Sequence, residues 1–326
     1  MKFAKANWER KNPAVQLSPD VLSQLIEPMF PNRKVESFDV LSPGLANTNV
    51  RFTISGLEEY FVLRLYTQNR NALSQELSLA KQFNNFIPMP EFLYVDKSLL
   101  GHVYAIQRWI KGEPLHTLLD KITLSQAQIV AKEVAKALSN IARQSFSKGG
   151  FFKDNLEIVA FEGNEAQHPF ISYIQDCLFE HYAGKWLGEA LAERVWKFVL
   201  NNQAYFPSLE PACLVHGDFN LDNILIDENT FTVAGILDWE FAFAGSYLFD
   251  IGTLLRFEVP EAFETKFLEV YKAETGITFP EMWRKMIKLQ DLSNLIGLLN
   301  IPRRCPNRIH DIKMLIQEIL TAYSFN

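Results

Sequence analysis

A chain of 326 residues with 48% hydrophobic side chains can bury a sizeable core, enough for two lobes or two modest domains. Its formal net charge of −6 argues against sequence-independent binding to nucleic acid or an anionic membrane, both of which rely on clustered Lys and Arg, and favours a cationic or neutral partner. No apolar run approaches the ~18 residues of a membrane span, the N-terminus lacks a signal-peptide stretch, and Cys177, Cys213 and Cys305 form no C-x-x-C pair; the expectation is buried thiols in a cytoplasmic protein.

In chain order, Ser18-Pro19 opens a short helix, since proline suits the first helical position, where no backbone N–H is needed. Strand-like runs follow over residues 38–41, 50–54 and 60–66, rich in β-branched and aromatic residues and separated by Gly, Pro, Asn and Ser, which predicts antiparallel hairpins. Between the first two, Pro43-Gly44-Leu45-Ala46-Asn47-Thr48-Asn49 offers small residues through which backbone N–H groups can approach phosphates, although a plain hairpin turn reads the same way. On the third run, alternation puts Phe61, Leu63 and Leu65 on one face and Val62, Arg64 and Tyr66 on the other, so that Arg64 faces a cleft or solvent.

A helix is predicted over 72–83 and strands over 92–95 and 102–109. Beyond the breaker Gly112-Glu113-Pro114 the pattern turns helical, which places a lobe boundary between residues 110 and 111. Thr123 and Gln126 form a capping box ahead of Val130, Val134, Leu138 and Ile141 at helical spacing. Residues 147–167, with Gly149, Gly150 and Gly163, read as a loop over the cleft, and Ile312, Leu315, Ile316, Ile319, Leu320 and Tyr323 form the apolar face of a terminal helix. A strand-rich first third and a helical remainder predict an α+β protein with segregated lobes.

The chemistry concentrates where the apolar run 212–215 ends in His216-Gly217-Asp218-Phe219-Asn220-Leu221-Asp222-Asn223. Phosphoryl transfer needs a carboxylate to orient an acceptor hydroxyl and take its proton, and an oxygen ligand to hold Mg²⁺ nearby. Asp218 and Asn223 are those residue types at the D-x-x-x-x-N spacing of a kinase catalytic loop. A strand at 224–226, a turn at 227–230 and a returning strand at 231–237 bring back Asp238, as a second metal ligand requires. Asp222 reads as a turn residue rather than a third ligand.

From about residue 41 to 256 the chain resembles the aminoglycoside phosphotransferase and choline kinase group, the catalytic loop carrying most of the likeness, with Asp238-Trp239-Glu240 similar to its counterpart of the kinase D-F-G. The resemblance implies a bilobal protein-kinase-like fold: an N-terminal antiparallel sheet lobe with one main helix, residues 1–110, binding nucleotide, and a larger, mainly helical C-terminal lobe, residues 111–326, holding the catalytic loop and acceptor. It implies Asp218 as catalytic base, Asn223 and Asp238 as magnesium ligands, and His216 and Asp250 as supports of the loop. Arg64 stands where the kinase strand lysine grips phosphates, with Glu76 as its ion-pair partner. Gly44, Asn47 and Thr48 would lie at the phosphates, and Gln107, Trp109 and Ile110 at a hinge that meets the nucleobase.

The implied reaction moves the γ-phosphoryl of ATP or GTP to a small-molecule hydroxyl, with Mg²⁺ as cofactor. Arg64 in place of lysine and a glycine-poor loop leave open a pseudokinase that binds nucleotide as an interaction module, or nucleotidyl transfer to protein on the same fold. No A-P-E motif follows Asp238, which disfavours peptide acceptors. The acceptor is expected among residues 151–180 and 241–283. Eight acidic residues between 239 and 282, from Glu240 and Asp250 through Glu258, Glu261, Glu264, Glu269 and Glu274 to Glu281, would suit a polycationic acceptor, and Phe241, Phe243, Tyr247 and Phe257 a quaternary amine; a solvated acidic face with core aromatics explains the same residues.

Overall fold

The computed structural model describes residues 7–323 apart from 11–13, 42–46, 68–70, 98–100 and 162–167. Helix α1 (Pro19–Ile26) starts where Ser18 accepts the Val21 N–H, with proline in its first turn. It lies on a five-stranded antiparallel sheet of order β1 (Val35–Val40), β2 (Thr48–Ile54), β3 (Phe61–Tyr66), β5 (Val103–Arg108), β4 (Phe92–Lys97). Leu22, Leu25 and Ile26 pack against Val50, Phe52, Phe61, Leu63, Leu65 and Ile106, so the expected face of the third strand is the one under α1. Its other face meets helix α2 (Ala72–Phe83), where Tyr66 packs with Ala72, Leu73 and Ala105.

After residue 112 the chain is mainly helical. Helix α4 (Leu124–Ala142) opens on the Thr123–Gln126 capping box, both reciprocal bonds present, and buries Val130, Val134, Leu138 and Ile141 in a core shared with helix α9 (Glu261–Thr275). Helix α10 (Trp283–Leu299) runs through a second core with helices α5 (Pro169–Phe179) and α11 (Pro306–Tyr323), the last burying Ile312, Ile316, Ile319 and Leu320. An α+β protein with an N-terminal antiparallel sheet and a helical C-terminal part is what the sequence pattern predicts.

Two small sheets position the loop of residues 216–223. Strand β10 (Ala212–Val215), buried throughout, pairs antiparallel with β13 (Phe243–Gly245), and the hairpin β11 (Ile224–Ile226)–β12 (Val233–Ile236) pairs Ile224 with Ile236. The stretch expected as a plain loop over 147–167 instead contributes two short strands, β8 (Gly150–Phe152) and β9 (Ile158–Val159), which extend the β10–β13 sheet. Phe152 inserts into the first helical core and supplies the apolar anchor that glycine content alone conceals. No described helix is long and apolar enough to cross a membrane.

Candidate active site

Gly217 makes the turn out of β10 at φ +82°, a conformation a side chain resists, and a Cβ there would meet the Phe241 carbonyl oxygen at 2.2 Å. The loop is braced from behind. Asp250, on helix α8 (Leu248–Leu254), accepts the backbone N–H groups of His216 (2.7 Å) and Gly217 (3.0 Å). Burial pushes its carboxyl up to about 7 against the pull of those two bonds, with Asp218 adding to the rise. His216 is fully buried against the Trp239 ring. Its Nδ1 accepts the Asp218 N–H (3.2 Å), which leaves Nε2 to donate to the Leu237 carbonyl (2.8 Å), so one imidazole ties the 216–223 loop to the end of the returning strand.

Asn223 Nδ2 donates to the Asp218 carbonyl (2.9 Å) and to its carboxylate Oδ2 (3.1 Å), orienting that carboxylate toward the cavity it lines. The Leu237 N–H donates to the Asn223 carbonyl (2.8 Å), and the next residue, Asp238, turns with φ 62°, an unusual conformation that aspartate tolerates better than most side chains. The hairpin therefore brings Asp218, Asn223 and Asp238 into one place. With its Nδ2 committed, the Asn223 amide offers Oδ1, and together with the Asp238 carboxylate this is an all-oxygen donor pair of the kind a hard divalent cation takes.

From the first lobe, Arg64 reaches into the same site. It is 5% exposed; it ion-pairs with Asp238, donates to Glu76 Oε1 at 3.1 Å, and lies 3.8 Å from Glu240. Burial alone would lower the guanidinium, but Asp238, Glu76 and Glu240 outweigh it and hold the group well above its ordinary value. Glu76 is itself raised by burial, with Arg64 opposing, and Tyr66 donates to its other oxygen (2.5 Å). Sequence reasoning placed Glu240 in the Asp238-Trp239-Glu240 motif and in the count of acidic residues but gave its side chain no role of its own. Its side chain is 6% exposed and accepts a hydrogen bond from Asn47 (3.0 Å), linking the edge of the first-lobe loop to the Asp238 turn. Burial pushes its carboxyl up to about 8, Arg64 opposing and Asp238, Glu76 and Asp218 adding to the rise.

A continuous cavity of about 1400 Å³ runs from the hinge to helices α5 and α10, and Asn47, Arg64, Glu76, Gln107, Trp109, Ile110, Asp218, Asn223 and Asp238 all line it. At the hinge the Arg108 and Trp109 N–H groups are committed to the Glu91 and Tyr60 carbonyls, while the Ile110 N–H has no acceptor among the described residues. Thr48 is not brought into the cavity: its hydroxyl accepts the Val15 N–H (3.1 Å) and an Arg10 N–H (3.4 Å). Gly44 lies outside the described residues.

Two further groups escaped sequence reasoning. His116, on helix α3 (Leu115–Leu119), contacts Asp222 Oδ1 through Nδ1 at 2.8 Å, a bond that raises its imidazole against the opposing effect of burial. Its backbone N–H also donates to the Leu221 carbonyl (3.2 Å), so His116 holds the turn residue Asp222 from the adjoining helix. Arg308, near the start of α11, also lines the cavity.

Of the two readings of the acidic stretch, a pocket for a polycation and a solvated face, the solvated face describes most of it. Of the eight, Glu240 alone lines the cavity. Glu264, Glu269 and Glu274 pair with Arg284, Lys266 and Arg143 on the outer surface, because α9 turns its apolar side to α4 and its charges to water. Tyr247 and Phe257 likewise lie away from the cavity, whereas Phe241 and Phe243 line it. Beyond residue 283 the cavity takes Ser293, Asn294, Gly297 and Asn300 from the end of α10, a stretch outside the expected acceptor windows.

The chain belongs to the phosphotransferase enzyme family, whose model matches residues 37–288. Among solved structures it is similar to a GDP complex of an aminoglycoside 2'-phosphotransferase of type IIIa (TM-score 0.70, 16% identity, 94% of this chain and 99% of that one). It is also similar to the aminoglycoside phosphotransferase APH(4)-Ia in a ternary complex with AMP-PNP and hygromycin B (TM-score 0.69, 17% identity, 94% and 99%). The bilobal, protein-kinase-like fold is thus shared with these enzymes. Curated relatives include a probable acyl-CoA dehydrogenase, IBR3, of Arabidopsis thaliana (23% identity over 190 residues, 56% of this chain and 22% of that protein) and acyl-CoA dehydrogenase family member 11 of Gallus gallus (22% over 247 residues, 71% and 29%). The chain spans less than a third of the length of either.

Proposed function

We propose that this member of the phosphotransferase enzyme family transfers the γ-phosphoryl group of ATP or GTP to a hydroxyl of a small molecule, assisted by Mg²⁺ held between Asn223 and Asp238. The observation that carries the reading is the convergence of Asp218, Asn223 and Asp238 on one cavity, with the buried Arg64–Glu76 pair beside them.

In this reading the nucleobase edge meets the Ile110 N–H at the hinge. Arg64, fixed by Glu76, offers charge and N–H donors to the phosphates. Asp218, oriented by Asn223, accepts the proton of the acceptor hydroxyl as its oxygen bonds to the γ-phosphorus and the bond to the nucleoside diphosphate oxygen breaks. Asp250 and His216 act at one remove by holding the loop. The cation, when bound, neutralises charge that gathers on the phosphate oxygens. Nucleotide complexes of the structural neighbours, with GDP or AMP-PNP, support a nucleotide co-substrate.

The test is incubation with Mg-ATP or Mg-GTP and a panel of alcohols, followed by mass spectrometry of both products and protein. Phosphate added to a small molecule is the expected result. AMP added to protein would favour nucleotidyl transfer instead, and nucleotide binding with no transfer an interaction module.

A further inference from the structure

Among the described residues three arginines are buried: Arg64, Arg256 and Arg308. The first two are neutralised by carboxylates. Arg64 has Glu76 and Asp238, and Arg256 holds Asp291 through Nε (2.9 Å) and Nη2 (2.7 Å) with both side chains 1% exposed. Arg308 differs. It is 6% exposed, yet no described carboxylate lies within 4.0 Å of its guanidinium and its side chain donates no hydrogen bond to a described residue; its Nε, like the Arg64 Nε and the Arg256 Nη1, is fully buried without a partner. A planar group with five N–H donors is seldom left in this way. One compensation is the Trp8 ring, 5.6 Å from the guanidinium carbon, which attracts a cation but accepts no conventional hydrogen bond.

The charges around it are few. Burial pulls the guanidinium below its ordinary value, with Cys305, Asp218 and Glu9 offsetting this in part, whereas Arg64 and Arg256 are both held above theirs. Glu9 spends its two oxygens on the backbone N–H groups of Asn307 (3.0 Å) and Arg308 (3.2 Å), capping α11 rather than pairing with the side chain. Asp176, a further carboxylate that lines the cavity, is exposed. The cavity that Arg308 and Asp218 both line also has Phe161, Phe170, Phe243 and Phe249 in its wall, packed ring against ring with centroids 5.1–6.1 Å apart.

We propose that the acceptor is a hydroxylated carboxylic acid with an apolar body, its carboxylate bound by Arg308 and its hydrocarbon portion laid along the phenylalanine wall while its hydroxyl meets Asp218. The proposal deepens the phosphoryl-transfer reading and rests on it for the fate of the hydroxyl. The chain's net charge of −6 points toward cationic partners, but a buried site is governed by the groups that face it. A buried guanidinium that lacks an anion both attracts a carboxylate and repels an ammonium.

The experiment compares 3-hydroxydecanoate and 10-hydroxydecanoate with their primary amides and with kanamycin, in the wild type, Arg308→Gln and Arg308→Lys. Turnover with Mg-ATP and binding by calorimetry are both read. At least one hydroxydecanoate is expected to exceed its amide by roughly 10- to 100-fold in kcat/KM, through KM. Arg308→Gln removes that preference while ATP affinity, read on the same samples as a check of folding, is retained, and Arg308→Lys keeps part of it. Equal use of acid and amide, a preference for kanamycin, or a carboxylate preference that survives Arg308→Gln would overturn the proposal and leave phosphoryl transfer standing. Arg308-dependent binding of a hydroxydecanoate with no transfer to any acceptor would sustain the anion site and refute phosphoryl transfer. Absence of carboxylate binding altogether refutes the anion site.

Discussion

A Cβ at position 217 would have to displace the Phe241 carbonyl while the backbone there stays at positive φ. Gly217→Ala should therefore cost more than about 2 kcal/mol in denaturant-measured stability and lower turnover as well, since Asp218 follows directly. Glu240 supplies a prediction of pH dependence. Its folded pKa of about 8 lies above its ordinary 4.5, so between these values the folded state holds a proton that the unfolded state releases. This contribution to stability is complete below pH 4.5 and lost as pH rises through about 8. Melting temperature measured across that range should show Glu240→Gln flattening the decline, and an unchanged slope would remove Glu240 as its source. At this scale Asp218, Asn223 and Asp238 were legible because charged and amide groups placed at the ends of apolar strands need a reason. Glu240, His116 and Arg308 were not, because a lone Glu, His or Arg has no local pattern, and their partners lie elsewhere in the chain.

The elements themselves were read well where periodicity and capping agree. Helix α4 begins at the capping box that Thr123 and Gln126 announce, and Thr123→Ala should cost about 1 kcal/mol in stability while leaving kcat/KM unchanged. An effect on catalysis would mean that α4 reaches the site through more than its core face. The β11–β12 hairpin was legible from its turn and its apolar strands, which is why Asp238 could be placed beside Asn223. Strands β8 and β9 were hidden by their length of three and two residues, since the pairing of β8 with β13 and of β9 with β8, rather than local propensity, makes them strands. The acidic residues of α9 left two readings open for a related reason: linear density carries no information about which face of a helix meets water, and the structure turns them outward.

Across the whole molecule, residues 7–10 join the two ends of the chain to the site. Trp8 donates to Asp311 and Glu9 caps α11, while Arg10 donates to the Asn47 carbonyl (2.9 Å), so this short segment spans from the helical lobe to the edge of the first-lobe loop. Arg10→Ala should lower stability by about 1 kcal/mol and raise KM for nucleotide, because Asn47 also holds Glu240. Such links between residues some 300 positions apart were beyond sequence reasoning. The central claim is that Asp218 takes the proton of an acceptor hydroxyl during phosphoryl transfer. Single-turnover transfer from Mg-ATP by Asp218→Asn, with nucleotide affinity measured alongside, tests it most directly. The account predicts a fall of roughly 10²- to 10⁴-fold with affinity retained, and turnover equal to that of the wild type would contradict it.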